Sequence, residues 1–410
     1  MKKIYTFLFA YCLLPTAYCF SQGTWTQKAN FGGGVRDGAV GFSIGSKGYI
    51  GLGGDVNGVK NDFWEWDQTT NVWTQKANFV GTARAAAVGF SIGTKGYIGT
   101  GYDGITSGGF INDFWEYDPT VNTWTQKANF PGTAREGATG FSIGNKGYIG
   151  TGYDSTNVFN NDFWEWDQVS NTWNQKANFP STGRYGAVSF SIGNKGYIGT
   201  GWYNYSTVYN DFWEWDQATN VWTQKANLGG SARRLSVGFS IGIKGYIGTG
   251  DDGNNPNYIY YQDFWEWDQS SNTWTQKINL PDTVRRSAIG FSIGNYGYIG
   301  TGGISDAGFL NSYWEYCDTC SGTEVSEINL ENLISVYPNP TQGKFNVQMS
   351  GFENVKINSI KIYSAEGECI HQQISTSSNL QIDLSSAPSG VYFVQLKTNK
   401  GVINKKIIKE

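Results

Sequence analysis

The feature that most constrains this chain is a long internal repeat. Six tryptophans each open a W-T-Q-K or W-N-Q-K segment, at spacings of 48, 51, 49, 49 and 52 residues: Trp25, Trp73, Trp124, Trp173, Trp222 and Trp274. Between them the same order of short apolar segments recurs, separated by Gly-x-Lys-Gly or by Asp- and Asn-rich turns. Each repeat therefore contains four short strands, and four antiparallel strands repeated radially predict a β-propeller.

The ends of the repeat predict how the ring closes. An arginine precedes the first strand of each unit, at Arg36, Arg84, Arg135, Arg184, Arg233 and Arg285, which gives six units. The sixth unit lacks a fourth strand, while Trp25–Phe31 stands alone at the N-terminal end. We expect this segment to complete the sixth blade, because pairing there removes an exposed sheet edge.

The repeat resembles the kelch family over about residues 24 to 316. The resemblance rests on the arginine, the tyrosine of the second strand, the tryptophan of the fourth strand and the aromatic residue before the turn, which is Trp66, Tyr117, Trp166, Trp215, Trp267 or Tyr316. Kelch units usually end the second strand with two glycines. Here the first is replaced by Leu52, Thr100, Thr151, Thr200, Thr249 and Thr301. This departure marks a divergent subfamily and weakens any transfer of function.

The N-terminal segment reads as a signal peptide. Lys2 and Lys3 precede an apolar stretch from Ile4 to Leu14, which is too short to span a bilayer. Cys19-Phe20-Ser21 suits a signal-peptidase site, so residues 1–21 are expected to be removed. The propeller is then expected over residues 22–320, and no later segment predicts a transmembrane anchor.

A different pattern follows a polar linker at residues 321–334. Residues 335–410 alternate apolar and polar side chains in segments such as Ile360–Ser364 and Gly390–Leu396, which predicts a small Ig-like β-sandwich. This segment resembles the C-terminal sorting domain of the Bacteroidetes type IX (Por) secretion system. The resemblance implies that residues 335–410 engage the type IX machinery, and that the protein is released or held at the outer-membrane surface. The alternative is an ordinary Ig-like binding module.

Few residues suited to catalysis or metal binding are present. The propeller has no histidine, and His371 in the C-terminal segment is expected to be a solvated strand residue. We therefore predict no histidine-based catalytic triad, no metal site and no cofactor. Cys317 and Cys320 are interpreted as a disulfide clip or idle thiols, and less readily as a redox pair. A net charge of −4 with 16% charged residues does not suggest nucleic acid as a partner.

The six repeated arginines are the first candidate site residues. Each could bond backbone carbonyls or the aspartate that opens the third strand, at Asp62, Asp113, Asp162, Asp211 or Asp263. The alternative is that they bind an anion or a carboxylate. They share a face with the loops between the second and third strands, which vary in length as specificity loops do.

Blades five and six show three further features. Arg234 and Arg286 add a second basic residue beside Arg233 and Arg285, and Ser312 replaces the aspartate of the other blades. The longest loop, Asp251–Tyr261, carries the aromatic candidates Tyr258, Tyr260 and Tyr261. We expect a ligand site over these blades, with Arg285 lacking a carboxylate partner. The alternative is drift among duplicated blades.

These features favour a secreted or surface-displayed binding or adhesion module for an extracellular protein or glycan. The alternative function is a carbohydrate-active enzyme, an epimerase or lyase that uses arginine and carboxylates on an acidic sugar. The near-identity of the repeats counts against an enzyme, because catalysis needs a locally asymmetric site.

Overall fold

The computed structural model describes residues 23–104, 109–304, 308–318, 334–349, 357–365, 367–374, 379–398 and 401–410. The chain divides into two compact units, Met1–Gly322 and Thr323–Glu410. The regular elements of the described residues are all β-strands. The expected signal peptide and most of the expected linker lie outside the described residues.

The first unit contains six four-stranded antiparallel sheets, numbered here in the order of their first strands along the chain. The first strands are Val40–Ile44, Val88–Ile92, Thr139–Ile143, Val188–Ile192, Val237–Ile241 and Ile289–Ile293. The second strands are Lys47–Gly51, Lys95–Gly99, Lys146–Gly150, Lys195–Gly199, Lys244–Gly248 and Tyr296–Gly300. The third strands are Phe63–Asp67, Phe114–Asp118, Phe163–Asp167, Phe212–Asp216, Phe264–Asp268 and Tyr313–Cys317.

The fourth strands confirm the expected closure. Five of them follow directly, at Val72–Gln75, Thr123–Gln126, Thr172–Gln175, Val221–Gln224 and Thr273–Lys277. Sheet 6 takes its fourth strand from the N-terminal end, where Thr24–Gln27 pairs antiparallel with Tyr313–Cys317. Three short hairpins or ladders lie in the loops, at Gly54–Asp55 with Gly58–Val59, Arg135–Glu136 with Tyr153–Asp154, and Trp202–Tyr203 with Thr207–Val208.

The first strands form the centre of the unit. Each lies against the first strand of the next sheet, and that of sheet 6 lies against that of sheet 1, so the six sheets form a closed ring. Glycine in the second strand permits this approach: a Cβ at Gly96 of sheet 2 would lie 2.4 Å from the Phe42 ring of sheet 1. Close radial packing of twisted sheets is the architecture of a propeller.

The turns follow the expected chemistry with one shift. The hairpin between the first two strands of sheet 1 is Gly45-Ser46, one residue earlier than the link between the glycines, because Ile44 pairs with Lys47. Gly45 has a φ of +58°, which glycine adopts at little cost. In the turn after the third strand, the Asp67 carboxylate accepts hydrogen bonds from the backbone N–H groups of Thr69 and Thr70.

The second unit contains two sheets. A three-stranded sheet is formed by Ile334–Tyr337, Lys344–Met349 and Asn379–Asp383, and a four-stranded sheet by Ile357–Ser364, Cys369–Ile374, Gly390–Thr398 and Gly401–Lys409. Buried side chains of both sheets, such as Val347, Ile382, Ile362 and Val394, form one core, as in the expected sandwich. His371 lies in the strand Cys369–Ile374, as expected, but it is half-buried and its Nε2 is buried with no partner among the described residues, so the expectation that it is solvated is wrong.

Candidate functional site

The six repeated arginines are part of the interior. Each is at most 1% exposed. In the first five sheets the guanidinium pairs with the aspartate that opens the third strand, as Arg36 with Asp62 at 2.6 Å and Arg233 with Asp263 at 2.6 Å. The same guanidinium donates to the carbonyl oxygen that ends the second strand, as Arg184 does to Thr200 at 2.7 Å.

Arg285 corrects one expectation from the sequence. Ser312 replaces the usual aspartate and accepts a hydrogen bond from Arg285 at 2.9 Å. The guanidinium is nevertheless paired with a carboxylate, because Asp282, three residues earlier in the chain, occupies that role. The expectation that Arg285 lacks a carboxylate partner is therefore wrong. The geometry of all six arginines supports the structural interpretation and offers none of them to a ligand.

The residue after each arginine differs from sheet to sheet. These residues are Asp37, Ala85, Glu136, Tyr185, Arg234 and Arg286. The next residue in every sheet has a φ between +52° and +63°, and its N–H donates to the carbonyl of the equivalent residue in the preceding sheet. Six such bonds of 2.9–3.0 Å close a ring, from Gly38 to Ser287 and back. The variable residues are thus held in a circle around the central axis.

A second circle surrounds the first. Each variable residue pairs through its backbone with the residue after the glycine that follows the second strand, as Glu136 does with Tyr153. The other five pairs are Asp37 with Gly54, Ala85 with Tyr102, Tyr185 with Trp202, Arg234 with Asp251, and Arg286 with Gly303. The sequence order of the sheets therefore fixes which side chains meet on this face.

These circles enclose a cavity of about 320 Å³, which we call the axial cup. Its lining comprises Asp37, Glu136, Tyr153, Tyr185, Trp202, Tyr205, Arg234, Leu235, Tyr258, Arg286 and Ser287. The cup is asymmetric although the propeller repeats. Sheets 3 and 4 contribute most of the aromatic rings, and sheets 5 and 6 contribute both arginines.

The cationic side is built around Asp251. This fully buried carboxylate accepts from Arg234 at 2.9 Å and from Arg286 at 3.2 Å, so two guanidinium groups share one anion. Arg234 lies over the Trp202 ring at 4.4 Å, and Arg286 lies over the Tyr258 ring at 4.8 Å. Stacking on aromatic faces fixes the planes of both guanidinium groups.

The acidic side contains Glu136. Burial raises the pKa of its carboxyl to about 7. No ion pair to Glu136 is formed within the part of the chain that the structure describes. A carboxyl group with this pKa changes protonation in the neutral range, as general acids and bases do.

Tyr185 lies between the charged groups. Burial raises the pKa of its hydroxyl; the nearby charges of Glu136 and Asp37 raise it further, and those of Arg234 and Arg286 lower it. Its ring lies directly over Gly137, where a Cβ would come within 2.2 Å of the ring. Gly137 therefore leaves room for the Tyr185 ring in the lining of the cup.

The candidate residues that the sequence suggested fall into two groups in the structure. Arg234, Arg286 and Tyr258 line the cup, and Tyr260 lies beside it, with its ring 5.6 Å from the Arg286 guanidinium. The guanidinium carbon of the buried Arg233 lies 4.5 Å from the centre of the Tyr261 ring. Tyr261 therefore packs against a structural arginine and does not line the cup. Cys317 is disulfide-bonded, and Cys320 lies outside the described residues.

Sequence reasoning missed eight lining residues: Asp37, Glu136, Tyr153, Tyr185, Trp202, Tyr205, Leu235 and Ser287. A signal for three of them, Asp37, Glu136 and Tyr185, was present. The residue after the repeated arginine changes character in every sheet but the last two, while the strands on both sides of it are nearly identical. Variation at one position of an otherwise uniform repeat marks a site that is specialised blade by blade.

Comparisons with known proteins agree with both units. Residues 335–410 match the family described as the secretion system C-terminal sorting domain. The chain is also similar to a solved protein described as "Structure of YjhT", with 17% identity and a TM-score of 0.61, over 70% of this chain and 96% of that one. No curated protein matches the chain.

The first unit thus has the fold of a β-propeller, and the second contains a sorting domain for type IX export. The protein interacts with the type IX machinery and is secreted or displayed at the cell surface. No helix of the described residues has the length and apolarity needed to cross a membrane. Within the same residues, no group of three or more His, Cys, Asp and Glu side chains is arranged to hold a metal ion.

Proposed function

We propose that the protein is an extracellular binding module whose axial cup receives a carbohydrate group that bears a carboxylate. The observation that carries this proposal is the pair Arg234 and Arg286, stacked on Trp202 and Tyr258 and lining one cavity. A guanidinium group binds a carboxylate through two parallel hydrogen bonds. Aromatic rings with polar tips pack against the apolar faces of sugars.

The size of the cup favours a glycan over a protein partner. A cavity of about 320 Å³ lies at the small end of ligand pockets, which span ~300–1,000 Å³. It fits a group the size of one sugar residue and is far smaller than an ordinary protein interface. Glu136 and Tyr185 add polar groups to the same lining, where sugar hydroxyls need partners.

A glycan array probed with the purified protein tests the proposal. Acidic glycans should bind, and Arg286→Gln should weaken binding by about tenfold or more, because one charge-assisted contact is lost. The matched control is Lys60→Gln, which removes one positive charge from the same face but outside the cup, where Lys60 pairs with Asp55. Equal losses from both variants, or binding confined to neutral glycans, would contradict a carboxylate site in the cup.

A second candidate function is catalysis on an acidic sugar, and one observation favours it. The carboxyl of Glu136, with a pKa of about 7, lines the same cavity as two arginines and Tyr185. In this reaction class Glu136 would take a proton from a sugar carbon or hydroxyl while an arginine holds the carboxylate.

Incubating the bound acidic sugars in D₂O and following them by NMR tests this alternative. Deuterium incorporation or a changed configuration that disappears in Glu136→Gln would support an enzyme. Binding without either change would leave the binding module as the function of the cup.

A further inference from the structure

A continuous series of aromatic rings leads away from the axial cup. Its outer members are Tyr102, Phe110, Phe159 and Tyr203, and it shares Tyr153, Trp202 and Tyr205 with the cup. We call these seven residues the aromatic ribbon. They come from the loops of sheets 2, 3 and 4 between the second and third strands.

Successive ring contacts leave no gap in the ribbon. The centroids of Tyr102 and Phe110 are 5.2 Å apart, and those of Phe110 and Tyr153 are 6.0 Å apart. Phe159 then lies 4.8 Å from Tyr153 and 5.7 Å from Tyr205. The ribbon therefore spans three sheets and enters the cup at its aromatic side.

Two tyrosines of the ribbon are open to solvent. Tyr205, which also lines the cup, is 60% exposed, and the outer member Tyr203 is 37% exposed. The Tyr205 hydroxyl is hydrogen-bonded to the Tyr153 hydroxyl at 2.6 Å, which raises the pKa of Tyr153 to about 12. Linked hydroxyls of this kind hold the rings in place and present polar atoms between apolar faces.

The loops that carry the ribbon differ in charge from the cup. Residues 101–112, 152–161 and 201–210 contain no lysine or arginine, and their polar residues are mainly Asn, Ser, Thr and Tyr. Asp154 is buried, and its carboxylate accepts hydrogen bonds from Thr133, Thr156 and Asn160 within the fold. A surface of aromatic rings, hydroxyls and amides suits a neutral, hydroxyl-rich partner.

We propose that the aromatic ribbon binds neutral sugar residues that follow the acidic residue held in the cup. This inference rests on the proposed function and extends it: the ligand is an oligosaccharide with an acidic terminal residue, bound by that end. The acidic terminus occupies the cup, and the neutral residues extend over Tyr205, Phe159 and Phe110. The ribbon is continuous with the cup, and the three loops that carry it contain no lysine or arginine. These two features select this occupant over a polyanionic chain.

The test uses glucuronate and galacturonate, each free or at the non-reducing end of one to three neutral hexose residues. Affinity measured by calorimetry should rise about tenfold or more from the free acid to the longest chain, because each neutral residue adds contact with an aromatic ring. The double variant Phe110→Ala/Tyr203→Ala should remove this gain and leave the affinity for the free acid unchanged. Ile259→Ala is the control, since Ile259 is 59% exposed in the loop of sheet 5 outside the ribbon.

The outcomes separate the inference from the proposed function. Equal affinity for all lengths, or a gain that survives the double variant, overturns the ribbon and leaves the cup intact. Neutral chains that bind through Phe110 and Tyr203 without any acidic residue overturn the carboxylate cup and keep the ribbon. Binding of a peptide library that depends on the same two residues, or no binding by any glycan, overturns the inference.

Discussion

Two neighbouring positions of each repeat have opposite properties. The arginine is identical in six sheets, buried in each, and paired with a carboxylate in each. The residue after it is an acid, a base, a tyrosine or an alanine, and in five of the sheets its side chain lines the axial cup. The comparison teaches that adjacent residues can serve different purposes: the arginine stabilises the fold, and the residue after it lines the cavity. A propeller can therefore keep its interior uniform and still build an asymmetric site.

The largest expected effect is on the free energy of unfolding, and it should distinguish substitution of Arg184 from substitution of Tyr185. Arg184→Ala leaves the Asp211 carboxylate without its ion pair and removes the stacking of the guanidinium on Tyr209 at 4.2 Å. Loss of one partner of a buried pair costs about 3–5 kcal/mol of unfolding free energy. Tyr185→Phe, one residue later, keeps the half-buried ring and removes only the hydroxyl of a residue that lines the cup, so it should change stability by less than about 0.5 kcal/mol.

Chemical denaturation of both variants measures this contrast. The double variant Arg184→Met/Asp211→Leu should recover part of the loss, because it removes both charges together. If Arg184→Ala is as stable as Tyr185→Phe, the arginines are not the structural elements that their burial indicates.

The fold was predictable because the turns recur in each unit of the sequence, as the strands do. Gly-x-Lys-Gly and the Asp-to-Asn turns fix strand length, and the unpaired N-terminal strand fixes closure. The position of Arg234 and Arg286 in the site was also expected. Glu136 and Tyr185 were not, because their role depends on which backbones meet around the axis, and a single repeat carries no information about its neighbours across the ring.

Glu136 lies at the position that varies from sheet to sheet, and it predicts that the stability of the protein depends on pH. Glu136 has its ordinary pKa of 4.5 in the unfolded chain and a pKa of about 7 in the fold, because burial disfavours the charged form. The folded state therefore binds more protons between pH 4.5 and pH 7, and stability falls as the pH rises through this range. Glu136→Gln should remove this slope and be more stable than the original protein by about 1–3 kcal/mol at about pH 8.

Thermal unfolding at a series of pH values tests the sign. The control is Asp118→Asn, since a hydrogen bond from Lys95 lowers the pKa of Asp118 to about 2 and the group stays ionised over the whole range. A steeper slope in Glu136→Gln than in the original protein would refute the raised pKa.

The smallest effect concerns a repeated position that departs from the kelch pattern. Thr100 has a φ of +62°, and its buried hydroxyl has no hydrogen-bond partner among the described residues. Leu52, its equivalent in sheet 1, has a φ of +59° and a side chain that is fully buried in the core. Positive φ strains both residues, but only leucine offsets the strain by burying a large apolar group.

The two positions should therefore respond to glycine with opposite signs. Thr100→Gly relieves the strain and removes an unsatisfied hydroxyl at the cost of one methyl group, a net gain of about 1 kcal/mol. Leu52→Gly relieves the same strain but leaves a cavity, a net loss of about 1–2 kcal/mol. Thr200→Gly should gain less than Thr100→Gly, because the Thr200 hydroxyl is bonded to Ser236 at 3.3 Å. Equal changes at Thr100 and Leu52 in calorimetric unfolding would mean that backbone strain alone governs this position, and that the interior of the repeat is uniform in its energetics as well as its geometry.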